Sequence, residues 1–276
     1  MSTALPVPSA SQLLTGFTAL AFRTAESKLT YRLATVLSLI ASGFAYCVYL
    51  LVWLAVYREN PNPGPIGQGA MTAYLVAAFM VNAILTLSLE FRFIQRVRMG
   101  LVGIDLLRPL GFLPFQMAQG VGDALVNLVF VIPIFGVGLF FVGGALMPPT
   151  VGAALLGGVS LLLGFVVNFG VSYLIVQASF MLQSGYGVIF TRAALHQIFS
   201  GLAAPLVMFP DGLRMAATFL PFRHVVETPV VLWLGMADPS EAPLLLAEQA
   251  AWALSLLFVG ELIFRSVMRR HQVQGG

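Results

Sequence analysis

The chain has 276 residues, of which 59% are hydrophobic and only 9% charged, with a formal net charge of +3. Soluble domains carry about 25% charged residues, so a mean hydropathy of +0.92 excludes a soluble globular protein. The basic residues are too scattered for a nucleic-acid footprint, and uninterrupted apolar runs of at least about 18 residues make helices, not barrel strands, the spanning element.

Residues 1–10 are a short Ser/Pro-rich tail. Met1–Phe22 has no basic n-region, and Thr15, Gly16 and Thr18 interrupt its apolar stretch, so it does not read as a cleavable signal. Ser11–Arg32 sets Leu13, Phe17 and Leu20 on one helical face, with Arg23, Glu26, Lys28 and Arg32 following. The pattern predicts an amphipathic interfacial helix on the cytoplasmic surface, or else a helical extension of the first span.

The first span is expected over residues 33–57, with Trp53 and Tyr57 at the level where aromatic belts form. Arg58–Gln68 is turn-rich and cannot continue a helix. The second span is expected over residues 69–89. It leads into Glu90–Phe115, which gathers Glu90, Arg92, Arg96, Arg98, Asp105 and Arg108 in a chain otherwise nearly free of charge. Each such charge costs roughly 2.5–3.5 kcal/mol at a bilayer centre. The run is therefore expected in water or at a headgroup surface, on the cytoplasmic side because of its arginines. Leu101, Ile104, Leu107 and Leu110 recur every three residues before Pro109 and Pro114 break the pattern. Two readings stand: a loop that fixes topology, or a short helix along the membrane face that docks on a soluble partner.

The third span is expected over residues 118–142, followed by a tight turn at Gly143–Thr150. The fourth covers residues 151–176, with a continuation to Met181. Its Gly152, Gly157, Gly158, Gly164 and Gly170 let helix backbones approach closely; a backbone-lined substrate path is the alternative reading. After a cytoplasmic turn at Gln183–Arg192, the fifth span is expected over residues 193–209, interrupted by His196, Gln197 and Pro205. Asp211–Pro243 lies outside, with two apolar runs, Leu213–Leu220 and Val225–Leu234, on either side of Pro221. Each is too short to span and reads as a helix half sunk in the outer leaflet. The last span is expected over residues 244–264, with Arg265, Arg269, Arg270 and His271 holding the tail inside. By this topology only Arg58, Arg214 and Arg223 of the 14 basic residues fall outside, as the positive-inside rule requires. The expected fold is an all-α integral membrane protein, with a cytoplasmic tail and connector at residues 1–32 and a six-span domain at 33–276.

Catalytic signatures are missing. There is one lysine, Lys28, and no phosphate-cradling loop around it. No His-Glu-x-x-His or Gly-x-Ser-x-Gly occurs, His196, His224 and His271 are far apart, and Cys47 is the only cysteine. The chain is not expected to be an enzyme or to hold a metal or cofactor. Asp123 follows Gly120-Val121-Gly122 near the expected start of the third span, where a helix dipole favours a carboxylate; an ion or proton site is the alternative. Glu261 and Arg265 are spaced for an i,i+4 pair. Asn82, Asn127, Asn168 and Gln177 are amides at membrane depth, which usually bridge helices. With Asp123 they are also the candidates for polar residues along a translocation path. His196 follows Arg192 by one turn and reads as interface packing rather than a proton relay. So few intramembrane charges argue against an ion-driven carrier, and point to a cytoplasmic ATPase as the energy source.

Two stretches resemble the permeases of ABC-2-type ABC transporters. Arg98-Met99-Gly100-Leu101-Val102-Gly103-Ile104-Asp105-Leu106-Leu107-Arg108-Pro109-Leu110 is similar to that family's cytoplasmic segment between spans two and three. Phe199-Ser200-Gly201-Leu202-Ala203-Ala204-Pro205 through Pro210, then Phe219-Leu220-Pro221-Phe222 and Thr228-Pro229, resemble its fifth span and outer hairpin. The resemblance implies the permease subunit of an ATP-driven exporter in a bacterial inner membrane, with both termini cytoplasmic. It implies a dimer with a second copy or a sister permease, membrane lipid around it, and separate ATP-binding cassette subunits that hold ATP and magnesium. It also implies a coupling helix within Val97–Leu107 and a connector helix within Ser11–Arg32. Arg96, Arg98, Asp105, Leu107 and Arg108 are then the residues that meet the cassette. An ion-coupled secondary transporter or channel, with Asp123 or Glu90 as its ion site, is the alternative; a membrane scaffold or lipid-modifying enzyme is a further one.

Overall fold

The structure, a computed structural model, describes residues 9–101, 103–104, 110–181 and 185–274. The described residues hold ten α-helices and no strand. They are α1 (Ala10–Thr30), α2 (Arg32–Glu59), α3 (Gln68–Leu85), α4 (Leu89–Arg98) and α5 (Phe112–Val142), then α6 (Val151–Met181), α7 (Tyr186–Phe199), α8 (Asp211–Thr218), α9 (Glu227–Trp233) and α10 (Ala242–Gln274). Five helical segments are long and apolar enough to cross a membrane: α2, α3 with α4, α5, α6 and α10.

Helix α1 is separate from the first span. Ser9 and Gln12 close a capping box at its start, and the chain bends at Tyr31 before α2 begins. Its main neighbour is α5. Gly122 permits that contact, since a Cβ there would lie 2.5 Å from the Ala21 carbonyl oxygen. The long helix α10 packs chiefly on α6, and a Cβ on Gly170 would lie 2.7 Å from Leu256 Cβ. The short α9 lies across the other end of α6, where Gly157 admits the Trp233 backbone. Gly157, Gly164 and Gly170 thus serve helix packing. Gly158 meets nothing within 4 Å, so it plays no part in that contact. Helix α2 is peripheral, with Tyr57 its one buried residue.

The fifth predicted span differs most. Its helix, α7, has 14 residues, starts earlier than expected and ends at Phe199. At 1.5 Å per residue it covers about 21 Å, against about 30 Å of hydrocarbon. Ser200–Pro205 then runs on without helix, turning at Gly201 with φ +80°. Its contacts climb the neighbouring helices in order. Arg192 pairs with Glu90, His196 with Asn82, and Gln197 with Tyr49. Tyr74 Oη then donates to Gly201 O, and Trp53 Nε1 to Ala203 O.

Two further expectations need correction. The charged run after the second span does not begin in water: Glu90 is only 4% exposed and Arg92 half-buried, on α4 inside the bundle. Cost scales for lone charges do not apply, because both groups are paired there. Asp123 is not near a helix start either. Helix α5 begins at Phe112, three turns earlier, so the dipole cannot be what holds that carboxylate.

Candidate functional site

The second span is broken without a proline or glycine. Helix α3 ends at Leu85, Thr86 is extended (φ −68°, ψ 110°), and α4 starts at Leu89. Unwound backbone at membrane depth must find partners within the protein. Asn127 Nδ2 donates to Ile84 O at 3.1 Å and to Thr86 O at 2.7 Å. Asn168 Nδ2 donates to Leu85 O at 2.6 Å. The Ser88 N–H donates to Asp123 Oδ2 at 2.9 Å. Side chains from α5 and α6 therefore replace the missing helical bonds.

Charges are built around the same break. Arg92 Nη1 and Nη2 reach the two oxygens of Asp123, each at 2.9 Å, and Arg92 Nε donates to Gln119 Oε1 at 3.2 Å. Lys28 of α1 donates to Asn127 Oδ1 at 2.7 Å and lies 3.7 Å from Asp123. Burial lowers the Lys28 pKa below its ordinary value, while the Asp123 carboxylate pulls it back up. On the other side of α4, Arg192 Nη1 lies 3.2 Å from Glu90 Oε1, and its other terminal nitrogen donates to Asn168 Oδ1. Three cations and two carboxylates thus tie α1, α4, α5, α6 and α7 around one joint.

A cavity of about 630 Å³ opens beside the joint, lined from α1 through α5 by residues that include Arg23, Lys28, Arg92, Asp123 and Asn82. Among the described residues, no three His, Cys, Asp or Glu side chains are placed to hold a metal ion.

Helix α4 ends in a Schellman motif. Leu101 N donates to Arg96 O at 2.9 Å, Gly100 N donates to Val97 O at 3.1 Å, and Gly100 takes φ +68°. The motif ends α4 inside Val97–Leu107, the stretch expected to couple. Arg98 sits over the Tyr186 ring, 5.3 Å from its centroid, and Arg96 is half-buried on the last turn. Asp105, Leu107 and Arg108 lie outside the described residues, as do most of Val97–Leu107 after Leu101.

Of the five polar candidates, Asp123, Asn127 and Asn168 meet at the joint. Asn82 bonds His196 at 3.0 Å, bridging α3 and α7. Gln177 is fully buried on α6, one turn after Tyr173 and away from the joint's ion pairs. Sequence reasoning missed Lys28, Glu90, Arg92 and Arg192 as members of this cluster. The available signal was rarity: each is one of few charges beside long apolar runs.

A second polar knot closes the far end. Gln249 Nε2 donates to His224 O at 2.7 Å and to Ser160 O at 2.8 Å. Glu227 Oε1 accepts from the Leu206 N–H at 2.7 Å. Burial pushes the Glu227 carboxyl up to about 7 and the His224 imidazole down to about 4.

Long apolar helices, a charge-tied break in the second span and a helical hairpin before the last helix define a multi-pass membrane protein. Residues 44–275 match the family described as ABC-2 family transporter protein. The chain belongs to that family, whose members are membrane subunits of ABC transporters and not themselves the ATPase. Comparison with curated proteins gives no match.

Proposed function

We propose that this chain is the permease subunit of an ATP-driven exporter, working as a dimer in a bacterial inner membrane with separate ATP-binding cassette subunits. The observation that carries this reading is the anchorage of α4: Arg92 to Asp123 and Glu90 to Arg192 bind it to two other helices, α5 and α7. Motion applied at its basic end is thereby passed to the spans. The cassette grips Arg96, Arg98 and the Asp105–Arg108 segment, and ATP drives the change because that grip differs between two states. ATP and magnesium reside on the cassette.

In this reading both termini are cytoplasmic and the chain crosses six times. The fifth crossing is α7 plus the extended Ser200–Pro205 segment, which the ordered contacts from Glu90 to Trp53 support. Helix α1 is the connector at the cytoplasmic surface, and α8 and α9 sit in the outer leaflet over the exit. Peripheral α2 is left free for lipid or the second permease. An ion-coupled carrier through Asp123 has less support, since Arg92 already takes both of its oxygens.

Co-purification tests the assignment. Arg108→Glu and Asp105→Arg are expected to insert normally yet retain less cassette ATPase. Unchanged recovery of the ATPase with both variants overturns it.

A further inference from the structure

The cavity beside the joint has an unbalanced charge. Arg23, Lys28 and Arg92 line it against a single carboxylate, Asp123, which is fully buried. Asp123 is already committed, with Arg92 on both oxygens and the Ser88 N–H on one. The cations are not equally committed. Lys28 donates to Asn127 and pairs with Asp123 at 3.7 Å, which leaves one donor of its ammonium over, and its side chain is 17% exposed. Arg23 is exposed and has no ion-pair partner among the described residues. Ser27 and Ser38 add hydroxyl donors on the same wall. Beyond them the lining turns apolar at Leu39 and Phe79. At about 630 Å³ the cavity is of small-molecule size.

We propose that this cavity binds an anionic, phosphate-bearing group, with Arg23 and Lys28 as its principal contacts. A phosphate offers several acceptor oxygens to donors that have few partners within the chain. The apolar upper wall suits an acyl or prenyl stem on the same molecule, so a phosphorylated amphiphile fits better than free phosphate. The ligand site does not rest on the transport reading, because binding is measured without a cassette.

The test uses the full chain in phosphatidylcholine nanodiscs, titrated with dihexanoyl phosphatidic acid, with inorganic phosphate and with dihexanoyl phosphatidylcholine. Phosphatidic acid is expected to saturate one site per chain. Arg23→Gln, which breaks no hydrogen bond or ion pair among the described residues, is expected to weaken it about tenfold. Lys28→Gln is expected to weaken it further, with a melting curve run alongside because Lys28 also braces Asp123. Arg32→Gln, which removes an exposed charge outside the cavity, is expected to leave binding unchanged. Equal binding of inorganic phosphate would identify a soluble phosphate as the ligand and keep the site. Equal binding of phosphatidylcholine, equal loss with Arg32→Gln, or no saturable binding of either phosphate probe would overturn it.

Discussion

Arg92 grips Asp123 through two parallel hydrogen bonds of 2.9 Å, and this fork joins the lower half of the second span to the middle of the third. The carboxylate is fully buried, so removing its charge leaves Arg92 and Lys28 facing each other without a counter-ion. Asp123→Asn is expected to destabilise the protein by about 3–5 kcal/mol. Adding Arg92→Gln should recover part of that loss, with a coupling energy of about 0.5–3 kcal/mol. Denaturant melts of the two single variants and the double variant in detergent measure it; strict additivity would refute the pairing.

The amides at the break are expected to matter through the main chain. Asn168→Leu strands the Leu85 carbonyl and takes an acceptor from Arg192. Asn127→Leu strands the Ile84 and Thr86 carbonyls and takes an acceptor from Lys28. Each should cost about 1–3 kcal/mol. Hydrogen exchange at Leu87 and Ser88 should rise in both variants, while Asn62→Ala in the exposed loop should leave it unchanged.

Neighbouring glycines should respond in opposite directions. A Cβ on Gly157 would lie 2.8 Å from Trp233 Cα, which is backbone and cannot step aside. Gly157→Ala should therefore cost about 1–3 kcal/mol. Gly158 has open space, so Gly158→Ala should be neutral or stabilise by about 0.4–1 kcal/mol. Thermal melts of the two variants distinguish them directly.

The far-end knot carries two titrating groups of opposite sign. Glu227, raised to about 7, favours the fold when protonated. Its contribution is complete below the ordinary carboxyl range and is lost as pH rises through 7. His224, lowered to about 4, favours the fold when neutral, so its contribution is lost as pH falls from about 6.5 towards 4. Arg223 acts on both, and Glu248 lies 4.0 Å from His224. His224→Gln should leave a protein whose stability falls as pH rises from about 4.5 to 7, and Glu227→Gln one whose stability falls as pH drops below about 6.5. Melting temperatures across that range would show both slopes; parallel curves for the two variants would refute the assignment.

Much of this architecture is visible along the chain because apolar runs long enough to cross a bilayer are hard to read otherwise. The Pro221 divide between α8 and α9, and the glycines of α6, follow from residue type in the same way. The fifth segment is harder, because His196, Gln197 and Pro205 each weaken a helical pattern without saying where α7 stops. The break at Thr86–Ser88 leaves no local mark at all. Its causes are Asn127, Asp123 and Asn168, about 35 to 83 positions away in the chain, and a partner at that separation is invisible to periodicity. The same holds for Glu90, whose burial makes sense only once Arg192 is beside it.

Because side chains, not a continuous helical ladder, hold Leu85 to Leu89, the second span is two rods meeting at a swivel. In the proposed coupling, a twist entering at Arg98 has to pass through the contacts of Asn127, Asn168 and Asp123 to reach the far end. The stiffness of that swivel is therefore adjustable by single substitutions in α5 and α6, with no change to either rod.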